Sequence, residues 1–170
     1  YANEIDLNDI SLIGHSRGGG IVLLKSKEDL RVKKVITLAG VSDYKSRFPK
    51  NEKFEKWREK QVYFVKNGRT QQKMPHFFQF FEDFEKNASR LNIQNATQNL
   101  TIPQLIIHGN NDFSVLIEEA ENLHKWNPRS ELKIIKNVDH VFNVFHPWER
   151  KTISKELGEV ISSCISFLNK

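Results

Sequence analysis

Apolar residues along this chain fall into two patterns, short continuous runs and longer segments with helical spacing. Four runs rich in branched side chains end at a glycine or a polar loop, which is typical of strands buried on both faces of a sheet. They cover residues 10–13, 35–38, 105–108 and 131–135. Spacings of three and four between apolar positions predict helices over 18–27, 114–126 and 152–169. Strands that alternate with helices predict the α/β class, with a mainly parallel sheet and helices on both faces.

The connection between the second and third runs is longer than a crossover requires. About 65 residues separate the two runs, whereas a crossover with its helix usually needs about a dozen or slightly more. We therefore expect a single domain over 1–170 that contains a cap insertion over 45–100. Apolar and aromatic residues within the insertion predict two helices, over 52–64 and 74–86.

The second predicted cap helix is rich in phenylalanine. At helical spacing, four of its rings share one face, namely those of Phe77, Phe80, Phe81 and Phe84. Such a face either packs onto the body of the protein or lines an apolar substrate pocket. Under the second interpretation, Phe77 and Phe81 are candidate substrate-binding residues.

The stretch Gly14-His15-Ser16-Arg17-Gly18 joins the first strand to the first helix. A serine at such a sharp turn has a strained backbone, and its hydroxyl projects above the edge of the sheet. We expect small residues at 14 and 18 because larger side chains would collide there. The backbone N–H of Arg17 opens the helix, so it is the expected oxyanion-hole donor. His15 is a candidate substrate-binding residue.

A serine hydroxyl needs a base that takes its proton, and the base needs an acid that orients it. Asp112 follows the third strand and His140 follows the fourth. Because the carboxyl ends of parallel strands meet at one edge of a sheet, we expect both side chains to lie near Ser16. The sequence therefore predicts a catalytic triad of Ser16, Asp112 and His140.

Other residues compete for these roles. Asp43 follows the second strand and is the rival acid, and His146 is the rival base. Asp139 neighbours His140 in sequence, which points the two side chains apart, so we expect it to hydrogen-bond its own loop. We expect His108 to support the loop that carries the acid.

Three stretches of the chain, 11–20, 103–115 and 138–140, resemble the α/β-hydrolase superfamily, and within it the dienelactone-hydrolase and prolyl-oligopeptidase-like branches. In those branches a loop pattern H-G-x-x-D-x-x-V carries the acid, and a D-H pair carries the base. The matching residues are His108, Gly109, Asp112, Val115, Asp139 and His140.

The resemblance implies a serine hydrolase that needs no cofactor and forms an acyl-enzyme with a small-molecule ester. The same machinery serves peptidases and thioesterases, and a non-catalytic binding protein on this fold is a further alternative. In the family, several strands and helices precede the nucleophile strand, but only nine residues do so here. We therefore expect this sequence to be the C-terminal two-thirds of the domain, with the second oxyanion donor in the N-terminal part.

Composition narrows the function classes. With 38% hydrophobic and 28% charged residues, the chain is typical of a globular protein. The net charge of +5 comes from scattered lysines, and no nucleic-acid signature is present. No apolar run approaches the roughly 18 residues of a membrane span, and no His, Cys, Asp and Glu set has metal-ligand spacing. We expect no nucleic-acid partner, no membrane span and no metal; a homodimer is compatible with the sequence.

The chain has one cysteine, Cys164, so it forms no internal disulfide. This residue lies at helical spacing among apolar residues and is expected to act as a small buried hydrophobe. A single unpaired cysteine fits a cytoplasmic location.

Overall fold

A computed structural model describes residues 4, 6–68, 70–145 and 147–170 of the chain. The described strands are β1 (Ile10–His15), β2 (Val32–Leu38), β3 (Val62–Lys66), β4 (Lys73–Phe77), β5 (Gln104–Gly109) and β6 (Glu131–Ile135). The described α-helices are α1 (Arg17–Glu28), α2 (Glu52–Lys60), α3 (Gln79–Lys86), α4 (Ile93–Gln98), α5 (Ile117–Trp126) and α6 (Lys155–Leu168).

The chain divides into two compact units. The first unit combines Tyr1–Asp43 with Ile93–Lys170, and the second is Tyr44–Asn92. The second unit begins one residue before the predicted insertion over 45–100 and ends inside it, whereas α4, from the end of that range, belongs to the first unit.

A four-stranded parallel sheet in the order β1-β2-β5-β6 forms the centre of the first unit. In its central part, Ile36 of β2 is paired with Ile13 of β1 on one side and with Leu105 of β5 on the other. All six residues of β5 are buried, as expected for a parallel strand covered on both faces. The predicted α/β class and the four predicted strands are confirmed.

Helices cover both faces of this sheet. On one face, Val160, Cys164 and Phe167 of α6 pack against Ile36 and other strand residues. Strand residues that alternate with these point to the opposite face, where α1 contacts β1, β2 and α4, and α5 contacts α4, β5 and β6. Cys164 is a buried member of the core, as predicted, and burial raises the pKa of its thiol.

The second unit differs from the sequence prediction. Instead of two long helices over 52–64 and 74–86, it contains α2, an antiparallel hairpin of β3 and β4, and α3. β-branched and aromatic residues from Val62 to Val65 favour a strand, and Gln61, with φ of 60°, ends α2 in the left-handed region. Pro75 is tolerated in β4 because the hairpin is a two-stranded sheet, in which every strand is an edge strand.

Aromatic rings fill the interior of the second unit. Trp57 is 2% exposed, and its Nε1–H donates to the His76 carbonyl oxygen at 2.8 Å. Ring centroids 5.0–6.3 Å apart link Trp57 with Phe48, Phe54, Tyr63, Phe78 and Phe81. The predicted face shared by four phenylalanines is wrong for Phe77, because this residue lies in β4, ahead of α3. Phe77 is exposed, whereas Phe81 packs within the aromatic cluster.

Candidate active site

Ser16 occupies the turn between β1 and α1 in a strained conformation. Its φ of 56° and ψ of −122° lie outside the regions that non-glycine residues usually adopt. The turn is fixed to β2 because the Ser16 N–H donates to the Leu38 carbonyl oxygen at 2.9 Å and the Ser16 carbonyl accepts from the Val41 N–H at 3.2 Å. The Ser16 side chain makes no capping bond to the described first turn of α1, so its hydroxyl is available to other groups.

The glycines that flank this turn have different roles. A Cβ atom on Gly14 would lie 2.2 Å from the carbonyl oxygen of Gly18, so position 14 admits no side chain. A Cβ atom on Gly18 would meet no described atom within 4 Å. The expectation of a collision is therefore supported at Gly14 and wrong at Gly18, because it is the backbone of residue 18 that fills the space beside Gly14.

The Asp112 carboxylate lies in the loop after β5, and its side chain is fully buried. Its Oδ1 atom accepts from the backbone N–H groups of Ser114 at 2.8 Å and Val115 at 2.9 Å. These two bonds fix the carboxylate within its loop, and they offset part of the cost of burying its charge.

His140 joins the acid to the serine. Its Nδ1 lies 2.8 Å from Asp112 Oδ2, and its Nε2 lies 2.9 Å from Ser16 Oγ. An ionised carboxylate only accepts hydrogen bonds, so Nδ1 carries the proton. In the neutral ring Nε2 is then an acceptor, directed at the serine hydroxyl. The structure thus brings together the three side chains that the sequence singled out, in one hydrogen-bonded chain.

His108 supports the acid, as the sequence predicts. It is fully buried in β5. Its Nε2 lies 2.8 Å from the Val115 carbonyl oxygen and 3.4 Å from Asp112 Oδ2. Because both neighbours are acceptors, Nε2 carries the proton. Among the described residues, Nδ1 of His108 has no hydrogen-bond partner, so this ring contacts the acid loop through Nε2.

Hydrogen bonds donated by backbone N–H groups hold the acid loop and the base loop together, a feature that the sequence analysis missed. The Asn111 N–H donates to the Val138 carbonyl oxygen at 3.0 Å, and the Asn137 N–H donates to Asn110 Oδ1 at 2.6 Å. A Cβ atom on Gly109 would lie 2.2 Å from the same Val138 oxygen. The signal for this contact was Gly109, which directly follows the apolar run over 105–108 and ends β5.

The competing residues occupy other places. Asp139 Oδ1 accepts from the backbone N–H groups of Val141 at 3.0 Å and Asn143 at 2.7 Å, so it stabilises its own loop as expected. The imidazole of His140 contacts Asp112, whereas Asp43 is exposed after β2. The rival base His146 lies outside the described residues.

Two further residues at the turn between β1 and α1 were assigned roles from the sequence. Arg17 begins α1, so its backbone N–H lies at the positive end of the helix dipole. His15 is the last residue of β1, and its Nε2 lies 2.8 Å from the His140 carbonyl oxygen. The sequence analysis did not foresee this contact, because it joins residues that are 125 positions apart.

Among residues 4, 6–68, 70–145 and 147–170, no group of three His, Cys, Asp or Glu side chains is arranged to hold a metal ion. None of the helices in these ranges combines the length and the apolar character that crossing a bilayer requires.

No protein-family model and no curated protein sequence matches this chain. Solved structures do. MGS-MChE2, an alpha/beta hydrolase enzyme from a metagenome of lagoon sediments in Morocco, matches 96% of this chain over 64% of its own, with a TM-score of 0.61 and 19% identity. The chain has the α/β-hydrolase fold.

Of two other structures with similar folds, one holds an organic acid and one is an esterase domain. Est1E from Butyrivibrio proteoclasticus with bound ferulic acid matches 99% of this chain over 62% of its own, with a TM-score of 0.67 and 20% identity. The esterase domain of a Rhodothermus marinus protein matches 78% over 53%, with a TM-score of 0.54 and 22% identity. The chain thus spans 53–64% of the length of these three structures.

Because one fold hosts many chemistries, the reaction has to be argued from the side chains at the strand ends. In this chain they are a serine, an imidazole and a buried carboxylate, located after β1, β6 and β5 respectively.

Proposed function

We propose that this α/β-hydrolase chain carries the catalytic machinery of a serine hydrolase that cleaves a carboxylic ester. Ser16 is the nucleophile, His140 the base and Asp112 the acid. The single observation that supports the proposal is the chain of hydrogen bonds through the imidazole, 2.9 Å to the Ser16 hydroxyl and 2.8 Å to the Asp112 carboxylate. Both distances are within the reach that proton transfer requires.

In the first half of the reaction, Ser16 Oγ attacks the acyl carbon of the ester, and its proton passes to Nε2 of His140. Asp112 stabilises the imidazolium that forms and keeps its ring oriented. The tetrahedral intermediate then collapses. The bond to the alcohol oxygen breaks, this oxygen takes the proton from His140 Nε2, and the acyl group remains on Ser16.

In the second half, His140 takes a proton from a water molecule as the water oxygen attacks the acyl carbon. Collapse of this intermediate breaks the bond to Ser16 Oγ, which recovers its proton from the imidazolium. The sum of both halves is an ester plus water giving a carboxylic acid plus an alcohol, so the enzyme is regenerated and no cofactor is consumed.

The negative charge on each tetrahedral intermediate needs hydrogen-bond donors. The backbone N–H of Arg17 is the donor that we propose, because it begins α1 next to the nucleophile and shares the positive end of the helix dipole. A donor of this kind contributes about 10²–10³ in rate.

An ester is preferred to an amide or a thioester because of the structures with similar folds. One of these is an esterase domain, and another holds ferulic acid, an aromatic carboxylic acid. An aromatic acyl group is therefore the first to test. The roles of His15, Phe77 and Phe81 as substrate contacts stay predictions, as do the small-molecule substrate and the cytoplasmic location.

A fluorophosphonate probe, which phosphonylates activated serines, tests the proposal in the full chain. We expect the wild-type protein to be labelled and Ser16→Ala to remain unlabelled. Ser162→Ala is the matched control, because Ser162 is an exposed serine of α6, and it should be labelled like the wild type. Equal labelling of Ser16→Ala and the wild type would show that Ser16 is not the nucleophile.

The bond that is cleaved is tested with a panel of p-nitrophenyl esters, including a feruloyl or benzoyl ester, against aminoacyl p-nitroanilides. We expect the esters to be turned over faster. Faster turnover of the anilides would replace the esterase by a peptidase with the same triad, and no labelling and no turnover would favour a binding protein.

A further inference from the structure

The histidine directly before Ser16 contacts the base of the triad twice. Nε2 of His15 lies 2.8 Å from the His140 carbonyl oxygen. A carbonyl oxygen only accepts, so the His15 Nε2–H donates. The two rings also pack against each other, with centroids 4.8 Å apart and planes inclined at 41°. His15 therefore contacts both the backbone and the imidazole of His140.

The loop that carries His140 needs external support. It follows β6 and contains three non-glycine residues with positive φ, namely Asn137, Phe142 and Asn143, and each such conformation costs about 1–3 kcal/mol. Asp139 and Asn143 hold the loop from within. Asn110 and Asn111 hold it toward the acid.

Toward the nucleophile, the loop is held by His15. This residue belongs to β1, whose backbone is fixed by pairing with β2 up to the His15–Leu38 pair. The donating side chain of His15 thus belongs to a strand of the sheet and not to a second loop. Its backbone continues directly into Ser16, so one short segment positions both the nucleophile and the main chain of the base.

We propose that His15 is a positioning residue that keeps Nε2 of His140 against the Ser16 hydroxyl. This inference deepens the proposed hydrolase function and rests on it. The reaction requires the proton to cross one hydrogen bond of 2.9 Å, and a displacement of about 1 Å can cost about 10²-fold in rate. A residue that fixes the His140 main chain and covers one side of its ring limits such displacements.

The sequence analysis assigned His15 a different role, contact with the substrate. Measurements of kcat and KM distinguish this role from positioning. A lost substrate contact raises KM with little change in kcat. A mispositioned base lowers kcat with little change in KM, because the substrate still binds but the proton transfer is impaired. The ring and the donor can also be removed separately, because phenylalanine keeps a ring without an N–H and glutamine keeps a donor at similar reach.

The test compares His15→Phe and His15→Leu, which lack the donor, with His15→Gln, which retains it. With p-nitrophenyl acetate as the probe, we expect kcat to fall about tenfold in the first two, equivalent to about 1.4 kcal/mol and to one hydrogen bond. KM should stay within about twofold. His15→Gln should recover kcat to within about threefold of the wild type. His124→Gln is the control, because this histidine of α5 bonds Ser130, and its kcat should equal that of the wild type.

A second readout does not depend on turnover. In proton NMR, the His140 Nδ1–H that is donated to Asp112 should give a low-field resonance in the wild type and in His15→Gln. In His15→Phe and His15→Leu it should broaden, because a mobile ring exchanges this proton faster with water.

The outcomes distinguish this inference from the proposed function. Wild-type protein that is labelled by the fluorophosphonate, together with unchanged kcat and resonance in His15→Phe, would overturn the positioning role and leave the hydrolase intact. A raised KM with unchanged kcat would make His15 a substrate contact instead. Wild-type protein without labelling would overturn the hydrolase, and the resonance would still decide whether His15 orders the imidazole.

Discussion

Gly109 and Val138 approach so closely that a Cβ atom on Gly109 would lie 2.2 Å from the Val138 carbonyl oxygen and 2.7 Å from the carbonyl carbon. The same oxygen accepts the Asn111 N–H at 3.0 Å. The loops that carry the acid and the base therefore lie side by side because position 109 has no side chain.

A single methyl group at this position should separate the two loops. We expect Gly109→Ala to lower the free energy of unfolding by about 1–3 kcal/mol, the usual cost of overpacking, and to reduce kcat as well. Gly18→Ala is the matched control. Its added Cβ meets no described atom within 4 Å, and alanine favours helices over glycine by up to about 1 kcal/mol. Urea unfolding measures both variants, and equal destabilisation by the two would contradict the steric argument.

The identity of the acid can be tested by an isosteric change. In Asp112→Asn the amide no longer fixes the proton on Nδ1 of His140, so Nε2 can carry this proton instead. Nε2 then cannot accept the proton of the Ser16 hydroxyl. We expect kcat to fall about 10⁴-fold, as for the equivalent change in other triads. Asp43→Asn, at the rival acid, should retain the wild-type kcat. The reverse pattern in ester hydrolysis would transfer the role of the acid to Asp43.

His108 is expected to act through the acid loop. His108→Leu removes the donor to the Val115 carbonyl oxygen and leaves that acceptor buried, at a cost of about 1–3 kcal/mol. His108→Gln keeps an N–H at similar reach, so its free energy of unfolding should fall less than that of His108→Leu. Thermal or urea unfolding compares the two variants. A larger loss in His108→Gln than in His108→Leu would mean that the hydrogen bond does not stabilise the loop.

The ionisation of Asp29 makes the free energy of unfolding depend on pH. Hydrogen bonds from Arg31 and then from Lys25 hold the pKa of the Asp29 carboxyl well below its usual range. The folded state thus binds this proton less readily than the unfolded state, so the ion pairs stabilise the fold above about pH 4 and the stability is lost as the pH falls toward the folded pKa.

We expect Asp29→Asn to be less stable than the wild type at pH 7 and the difference to shrink steadily below pH 4. Urea unfolding at pH 7 and pH 3 measures the difference, and high salt at pH 7 should reduce it because exposed charges are screened. A difference that grew on acidification would contradict the assigned pairing.

The sheet and the meeting of the three candidate side chains were predictable because they depend on local patterns. Each central strand is a continuous apolar run, and each candidate side chain follows the end of a strand. Parallel pairing then brings Ser16, Asp112 and His140 to one edge without further information. The contact of His15 with His140 was not predictable, because it depends on the path of a loop that is distant in sequence.

The second unit was harder to predict, for a physical reason. Its phenylalanines fit a helical period, and this period was extended through Phe77, although this residue pairs with Val62 in the hairpin. The β-formers at 62–65 and the Asn67-Gly68 pair were the overlooked signals. In a hairpin, pairing with a second segment decides the structure, and periodicity within one segment does not report such pairing.

The order of strands in the parallel sheet also determines the stage of folding at which the three side chains can come together. The base is 124 residues from the serine and 28 from the acid, and β2 lies between the strands that carry the serine and the acid. A partly refolded chain with only some strands in place would hold no complete proton relay. Recovery of the proposed ester hydrolysis after dilution from denaturant should therefore lag behind recovery of helical circular dichroism, which makes turnover a reporter of the last step of assembly.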